Sequence, residues 1–178
     1  MPVVTATHHR ERGGRPPAKK FRNAAESTLV NAIVQELDSH NFTKAAADLD
    51  SWTQRYHDTE YSDERSYYYM LAYNGLEQPA KVLDTSAPLM LKPVIERFED
   101  PMQALSVLYV TVTNFQKLSR PTRDQSATAR AAARELLSVL PTCFTAEHRP
   151  AVMSVADWAK SRSDLELIGR EILARAAR

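Results

Sequence analysis

The chain has one cysteine, four glycines and no long apolar run in its 178 residues, and each scarcity removes a class of protein. A lone Cys143 cannot form an intrachain disulfide, which suits a reducing compartment. Four glycines against ten prolines leave few tight-turn residues for β-hairpins, and long alternating segments are missing as well. Charge excess is missing too. The net +1 gives no global pull toward nucleic acid or an acidic membrane. No apolar stretch follows the positive residues near Met1, so neither a secretory signal nor a membrane anchor is expected and the expected compartment is the cytoplasm. A start lying upstream of Met1 would point instead to export into the periplasm.

What is present is the material of helices. At 43% hydrophobic and 25% charged the composition is that of an ordinary globular protein, and a chain of this size can bury about 70% of its unfolded surface. An all-α fold of about seven helices is expected. Residues 1–23 stand apart: Gly13-Gly14, Pro16-Pro17, His8-His9 and six basic residues against one acidic give +5, which leaves −4 for the rest. With so little apolar content this stretch is expected to be a disordered basic tail, followed by one helical domain over residues 24–178.

A first helix is predicted from Glu26 to Ser39, with Leu29, Val30, Ile33, Val34 and Leu37 on one side. A second begins at Asn41 and carries Phe42, Ala45, Ala46, Leu49, Trp52 and Tyr56 at three- and four-residue steps. A third opens at Ser62, contains Tyr67, Tyr68 and Tyr69, and stops at Asn74-Gly75. Three successive tyrosines cannot share one helix face, so at least one is expected at the surface. Pro79 opens a fourth helix that begins with Ala80, Val82, Leu83 and Ala87 and has no marked end, and Pro88 and Pro93 force a kink or a loop with a short turn at Val94 to Phe98.

Asp100-Pro101-Met102-Gln103 marks the start of a fifth helix to Leu118, apolar on nearly all sides and expected to be the most buried. Thr122-Arg123-Asp124-Gln125 is a capping box for a sixth, with Ala129, Ala133, Leu136, Leu137 and Leu140 as its stripe and Pro141 as its expected end. An irregular stretch from Thr142 to Met153 precedes a last helix, whose inner face is read as Val155, Trp158, Leu165, Ile168, Ile172 and Ala176. Glu166 with Arg170 and Glu171 with Arg175 are expected to pair on its outer side.

Ala45 and Val82 each follow a turn, 37 residues apart, which suggests an internal repeat. At this point the chain resembles tetratricopeptide-repeat proteins. His40-Asn41-Phe42-Thr43-Lys44-Ala45 looks like that family's turn into its second helix, with Phe42 at the aromatic and Ala45 at the small position. Tyr73 and Gly75 look like the end of a first helix in the next repeat. Glu36, Ile33, Val82 and His57 depart from the pattern. The body from Leu49 through Ser154-Val155-Ala156-Asp157-Trp158-Ala159-Lys160 is similar to bacterial tetratricopeptide-like proteins without assigned activity. The resemblance implies a right-handed solenoid of antiparallel helix pairs closed by a C-terminal capping helix. It further implies a non-enzymatic scaffold that binds an extended peptide or a partner helix in a concave groove, on which Tyr67, Leu71 and Asn74 would lie. No cofactor, metal or membrane partner is expected, and a homo-oligomer is left open.

Three other groups of residues carry chemistry. Cys143 and His148 could form an activated thiol for a small hydrolase, but no orienting third group or oxyanion hole accompanies them, and a structural cysteine beside Phe144 is favoured. His57, Asp58, Glu60, Asp63 and Glu64 could hold a cation, yet they lack calcium-loop spacing and read as solvated loop residues. The basic tail could serve a nucleic-acid accessory protein by counterion release, although a solubilising leader is the favoured reading.

Overall fold

The structure is a computed structural model and describes residues 19–176; the first eighteen residues of the expected tail lie outside it. Among the described residues the secondary structure is helical: α1 Ala24–Asp38, α2 Phe42–Arg55, α3 Ser62–Gly75, α4 Pro79–Ser86, α5 Pro101–Lys117, α6 Arg123–Cys143 and α7 Val155–Ala176. Two short 3-10 turns, Ala87–Leu91 and Val94–Glu96, fill the proline-rich gap between α4 and α5. No helix is long and apolar enough to cross a membrane among these residues.

Local chemistry sets the boundaries. Asn23 is extended, with φ −161°, and its side chain accepts the Glu26 N–H at 2.9 Å, so α1 starts two residues before the expected Glu26. Asp100 caps α5 by accepting the Met102 N–H at 2.8 Å. Thr122 and Gln125 form the expected reciprocal box at the start of α6, with bonds of 3.0 and 3.1 Å.

The ends of α1 and α3 share one device. His40 (φ 60°) and Glu77 (φ 55°) adopt the left-handed conformation 37 residues apart. At the first end the His40 N–H reaches Leu37 O and the Asn41 N–H reaches Glu36 O; at the second the Glu77 N–H reaches Asn74 O and the Gln78 N–H reaches Tyr73 O. Both are Schellman turns, and both lead straight into the next helix.

Helix α3 ends at Gly75, as expected, but the left-handed residue of the turn is Glu77 and not the glycine. Gly75 is the last residue of α3, with the Phe42 ring packed so close that a Cβ would overlap the ring atoms. Pro141 does not end α6, which runs on to Cys143. Near a C-terminus the proline forfeits a single backbone bond, and Phe144 N–H still closes on Leu140 O at 2.9 Å.

Each helix packs against the next, and α1, α3, α5 and α7 also touch in series, as α4 touches α6. Position α5 meets α3, α4, α6 and α7, which explains why Ala104, Leu105, Val107, Leu108, Val110, Thr111, Val112, Asn114 and Phe115 are all buried. The core forms two clusters. A smaller one joins Val30, Ile33, Ala45, Leu49, Trp52 and Ala72, and a larger one runs from Met70 through α4, α5 and α6 to Ile172 and Ala176. Helix α3 separates them, giving Ala72 to one and Met70 to the other.

Helix α7 is the least immersed, with Gly169, Ile172 and Ala176 buried. Its first turn departs from expectation. Val155 is 71% exposed, and the helix is held there by Trp158, whose ring lies 4.2 Å from that of Phe144. Glu166 pairs with Arg170 as expected. Arg175 instead reaches back to α5, donating to Gln116 O at 3.0 Å and to Leu118 O, with its guanidinium 5.1 Å from the Phe115 ring centre. Uncapped carbonyls at a helix end attract a guanidinium more strongly than an exposed Glu171 does.

Candidate functional site

The three residues expected on a groove lie on the face of α3 that meets α5. The Tyr67 hydroxyl is 3.0 Å from Ser106 Oγ, and its ring meets Phe98 edge-on at 6.1 Å. Leu71 packs against the larger core cluster. Asn74 Oδ1 accepts from Asn114 Nδ2 at 2.9 Å and from Lys117 Nζ at 3.3 Å. All three are half-buried and already partnered across the α3–α5 seam.

Nor does the tyrosine run leave one of its members at the surface. Tyr67 faces α5, Tyr68 packs 6.4 Å from Trp52, and the Tyr69 hydroxyl bonds Asp50 at 2.7 Å while its ring stacks on Tyr73. Each is half-buried, because α3 has neighbours on three sides: α1 and α2, α4, and α5. Burial raises the pKa of all three phenols.

An open groove lies next to this seam, between α5 and α7. It measures about 510 Å³ and is lined by Met102, Leu105, Ser106, Tyr109, Ser161, Asp164, Leu165 and Ile168. Spacing puts Met102, Leu105, Ser106 and Tyr109 on one stripe of α5, and Ser161, Leu165 and Ile168 on the facing stripe of α7. Tyr109 is 43% exposed, an aromatic left at the rim. Apolar walls with a few polar groups are the usual make-up of a binding cleft. Sequence periodicity had assigned Leu165 and Ile168 to the inner face of α7; that they meet α5 across a gap depends on how far apart the two helices are held.

The second feature is a strap. Lys19 to Asn23, placed in the disordered tail by the sequence, are packed on the body. The Phe21 ring stacks on Tyr61 with centres 4.3 Å apart, a contact of about 1 kcal/mol. Lys19 Nζ meets Glu64 at 2.5 Å, the Lys20 N–H donates to Glu60 at 2.9 Å, and Arg22 pairs with Asp58. The Tyr61 hydroxyl donates to Lys19 O at 2.8 Å. Asp63 is taken separately by Arg97, 3.1 Å away. Four of the five residues weighed as a cation site are thus partnered by basic or backbone groups, and no group of three or more His, Cys, Asp or Glu among the described residues could hold a metal ion.

Beneath the strap lies a buried acid that sequence reasoning missed. Glu26 is 0% exposed and accepts from Trp52 Nε1 at 2.9 Å, Thr59 Oγ1 at 2.6 Å and the Arg22 N–H at 2.7 Å. Burial pushes its carboxyl pKa up, but the bonds from Thr59, Trp52 and Arg22 outweigh that and hold it below its usual value. Asn23-x-x-Glu26 is legible as a capping pattern; the long-range donors are not.

Cys143 is buried, its Sγ 3.5 Å from Pro101 O, and burial followed by the Asp100 charge pushes its thiol pKa up. His148 Nδ1 lies 3.1 Å from both the Cys143 carbonyl and Thr145 Oγ1. The imidazole bonds the main chain and a hydroxyl, not the thiol. Comparison with protein-family models, with curated proteins and with solved structures finds no match.

Proposed function

We propose that this chain is a non-enzymatic interaction module, a tetratricopeptide-like right-handed stack of helix pairs that binds an extended peptide or a partner helix. The observation that carries the proposal is the open apolar groove between α5 and α7, with Tyr109 at its rim and Asp164 and two serines to orient a ligand. The series of contacts α1–α3–α5–α7 and the paired Schellman turns at 37-residue spacing support a repeat-built scaffold. Tyr67, Leu71 and Asn74 belong to the wall of the groove in this reading, since Tyr67 bonds Ser106 and so fixes a lining residue. The raised thiol pKa of Cys143 and the main-chain role of His148 weigh against the hydrolase. A nucleic-acid role would draw on basic residues of the tail, two of which, Lys19 and Arg22, already pair with carboxylates.

Selection from a displayed random-peptide library tests the proposal. Enriched sequences should share apolar anchors, and Ile168→Asp in the groove wall should weaken them at least tenfold at unchanged helicity. Tyr67→Ala should weaken them less, through Ser106. Selected peptides that bind Ile168→Asp as well as wild type would reject the groove.

A further inference from the structure

No residue from Lys19 to Arg22 belongs to a helix, and their hydrogen bonds run to the loop before α3, to α3 itself and, from the Arg22 N–H, to Glu26 of α1. Successive residues are read in turn. Lys19 is read by its charge and its carbonyl, Lys20 by its N–H, Phe21 by its ring and Arg22 by its charge. This is how a groove reads an extended peptide: backbone contacts for grip, side-chain slots for choice.

We infer that Lys19-Lys20-Phe21-Arg22 is a built-in stand-in for a ligand, and that the cleft beneath it recognises a partner-protein segment with a basic residue, a position gripped by its backbone alone, an aromatic and a further basic residue. The inference rests on the reading of the chain as a peptide-binding module, but on residues that the α5–α7 groove does not use.

The cleft has the matching chemistry and room to spare. It measures about 300 Å³ and is lined by Val30, Tyr61, Glu64, Tyr68, Glu99 and Gln103 besides the strap itself. Glu64 has its second carboxylate oxygen buried and without a hydrogen-bond partner among the described residues. Tyr61 has its phenol pKa raised by burial and then by Glu64, Glu60 and Glu99, which reports a local negative field. A basic ligand therefore meets carboxylates on both sides of an aromatic slot. Gln103 of the cleft is one helical turn from Ser106 of the α5–α7 groove, so α5 lends a wall to each.

The strap also sets a threshold. A tethered ligand acts at an effective concentration on the order of millimolar, so it excludes weak competitors and yields to tighter ones. Lys19, Phe21 and Arg22, whose side chains make the contacts, then define what a competitor must carry.

The test titrates a fluorescein-labelled peptide of residues 15–23 with the full chain and reads anisotropy. Against wild type the binding should be weak. Against a chain carrying Phe21→Ala with Arg22→Ala it should tighten at least tenfold, and against one carrying Lys19→Ala with Arg22→Ala, which keeps the Phe21 ring on Tyr61, it should tighten less. Adding Tyr61→Ala, or Asp58→Asn with Glu64→Gln, should remove the gain. Salt at 1 M should weaken the binding, since exposed pairs are screened within about 3 Å there. Loosened variants with native circular dichroism that bind no tighter than wild type would overturn the inference, as would binding indifferent to Tyr61→Ala. A wild-type dimer in sedimentation that is lost in Phe21→Ala would assign the cleft to a second copy and overturn it too. Ile168→Asp should leave this titration unchanged, so failure here and failure of the α5–α7 groove are read separately.

Discussion

Glu26 shows how one side chain can join three segments of the chain. Its carboxylate ties the strap through the Arg22 N–H, α2 through Trp52 and the loop before α3 through Thr59. Hydrogen bonds to a buried charge are worth about 1.5–3 kcal/mol, and removing the charge leaves donors aimed at an amide that cannot satisfy them all. Glu26→Gln is therefore expected to cost about 2 kcal/mol at pH 7, near 6 °C in melting temperature for a domain of this size. Because the folded pKa lies below the usual 4.5, the contribution is fully present above that value and is lost as pH falls through the folded one. Melting curves from pH 7 to pH 3 should show the gap between wild type and Glu26→Gln closing in acid. A gap that stays constant would mean the carboxylate is not the group that matters.

At the scale of elements, what the sequence revealed and what it hid divide by range. Caps and stripes are local, so Thr122-Gln125, Asp100-Pro101 and the apolar steps Ala45, Leu49 and Trp52 could be read directly, as could the start of α2 after Asn41, whose side chain makes no capping bond. Gly75 was visible as a residue, but its purpose lies in Phe42, at the far end of the preceding helix, and no local pattern carries that. Tyr67, Leu71 and Asn74 share one α3 face, as their spacing implies, while the α5 residues that cover that face come from far along the sequence. The left-handed turns also escaped, since His40 and Glu77 are not the glycine or asparagine that such positions favour. That choice makes a prediction. Glu77→Gly relieves a conformation that costs a side-chain-bearing residue about 1–2 kcal/mol, offset in part by the entropy of a freer unfolded chain, so a gain of about 0.5 kcal/mol is expected. Glu77→Val, branched at Cβ, should lose about 1–2 kcal/mol. Urea denaturation of the pair checks this; equal midpoints would show that the turn relaxes out of the left-handed region.

For the whole molecule, two core clusters meeting at α3 imply that stability is not uniform. The smaller cluster closes α1 and α2 over one side of α3, whereas the larger one binds α4, α5, α6 and α7 through many more buried side chains. Opening the α1–α2 hairpin exposes the small cluster and the Glu26 tie, yet leaves Met70, Leu108, Leu136 and Ile172 in place. Elements that contact near neighbours alone can open one at a time, at a lower free energy than global unfolding. Leu49 and Leu108 are both 0% exposed, so truncating either to alanine should cost about 2–5 kcal/mol where it is felt. The two losses should be felt differently. In native-state hydrogen exchange, Leu49→Ala is expected to speed exchange in α1 and α2 while α5 and α6 keep their protection. Leu108→Ala, at the meeting point of the large cluster, should speed exchange in α4 to α7 and lower the global unfolding free energy. If Leu49→Ala accelerates every helix equally, the chain folds as one undivided unit, and the strap cannot loosen without the rest.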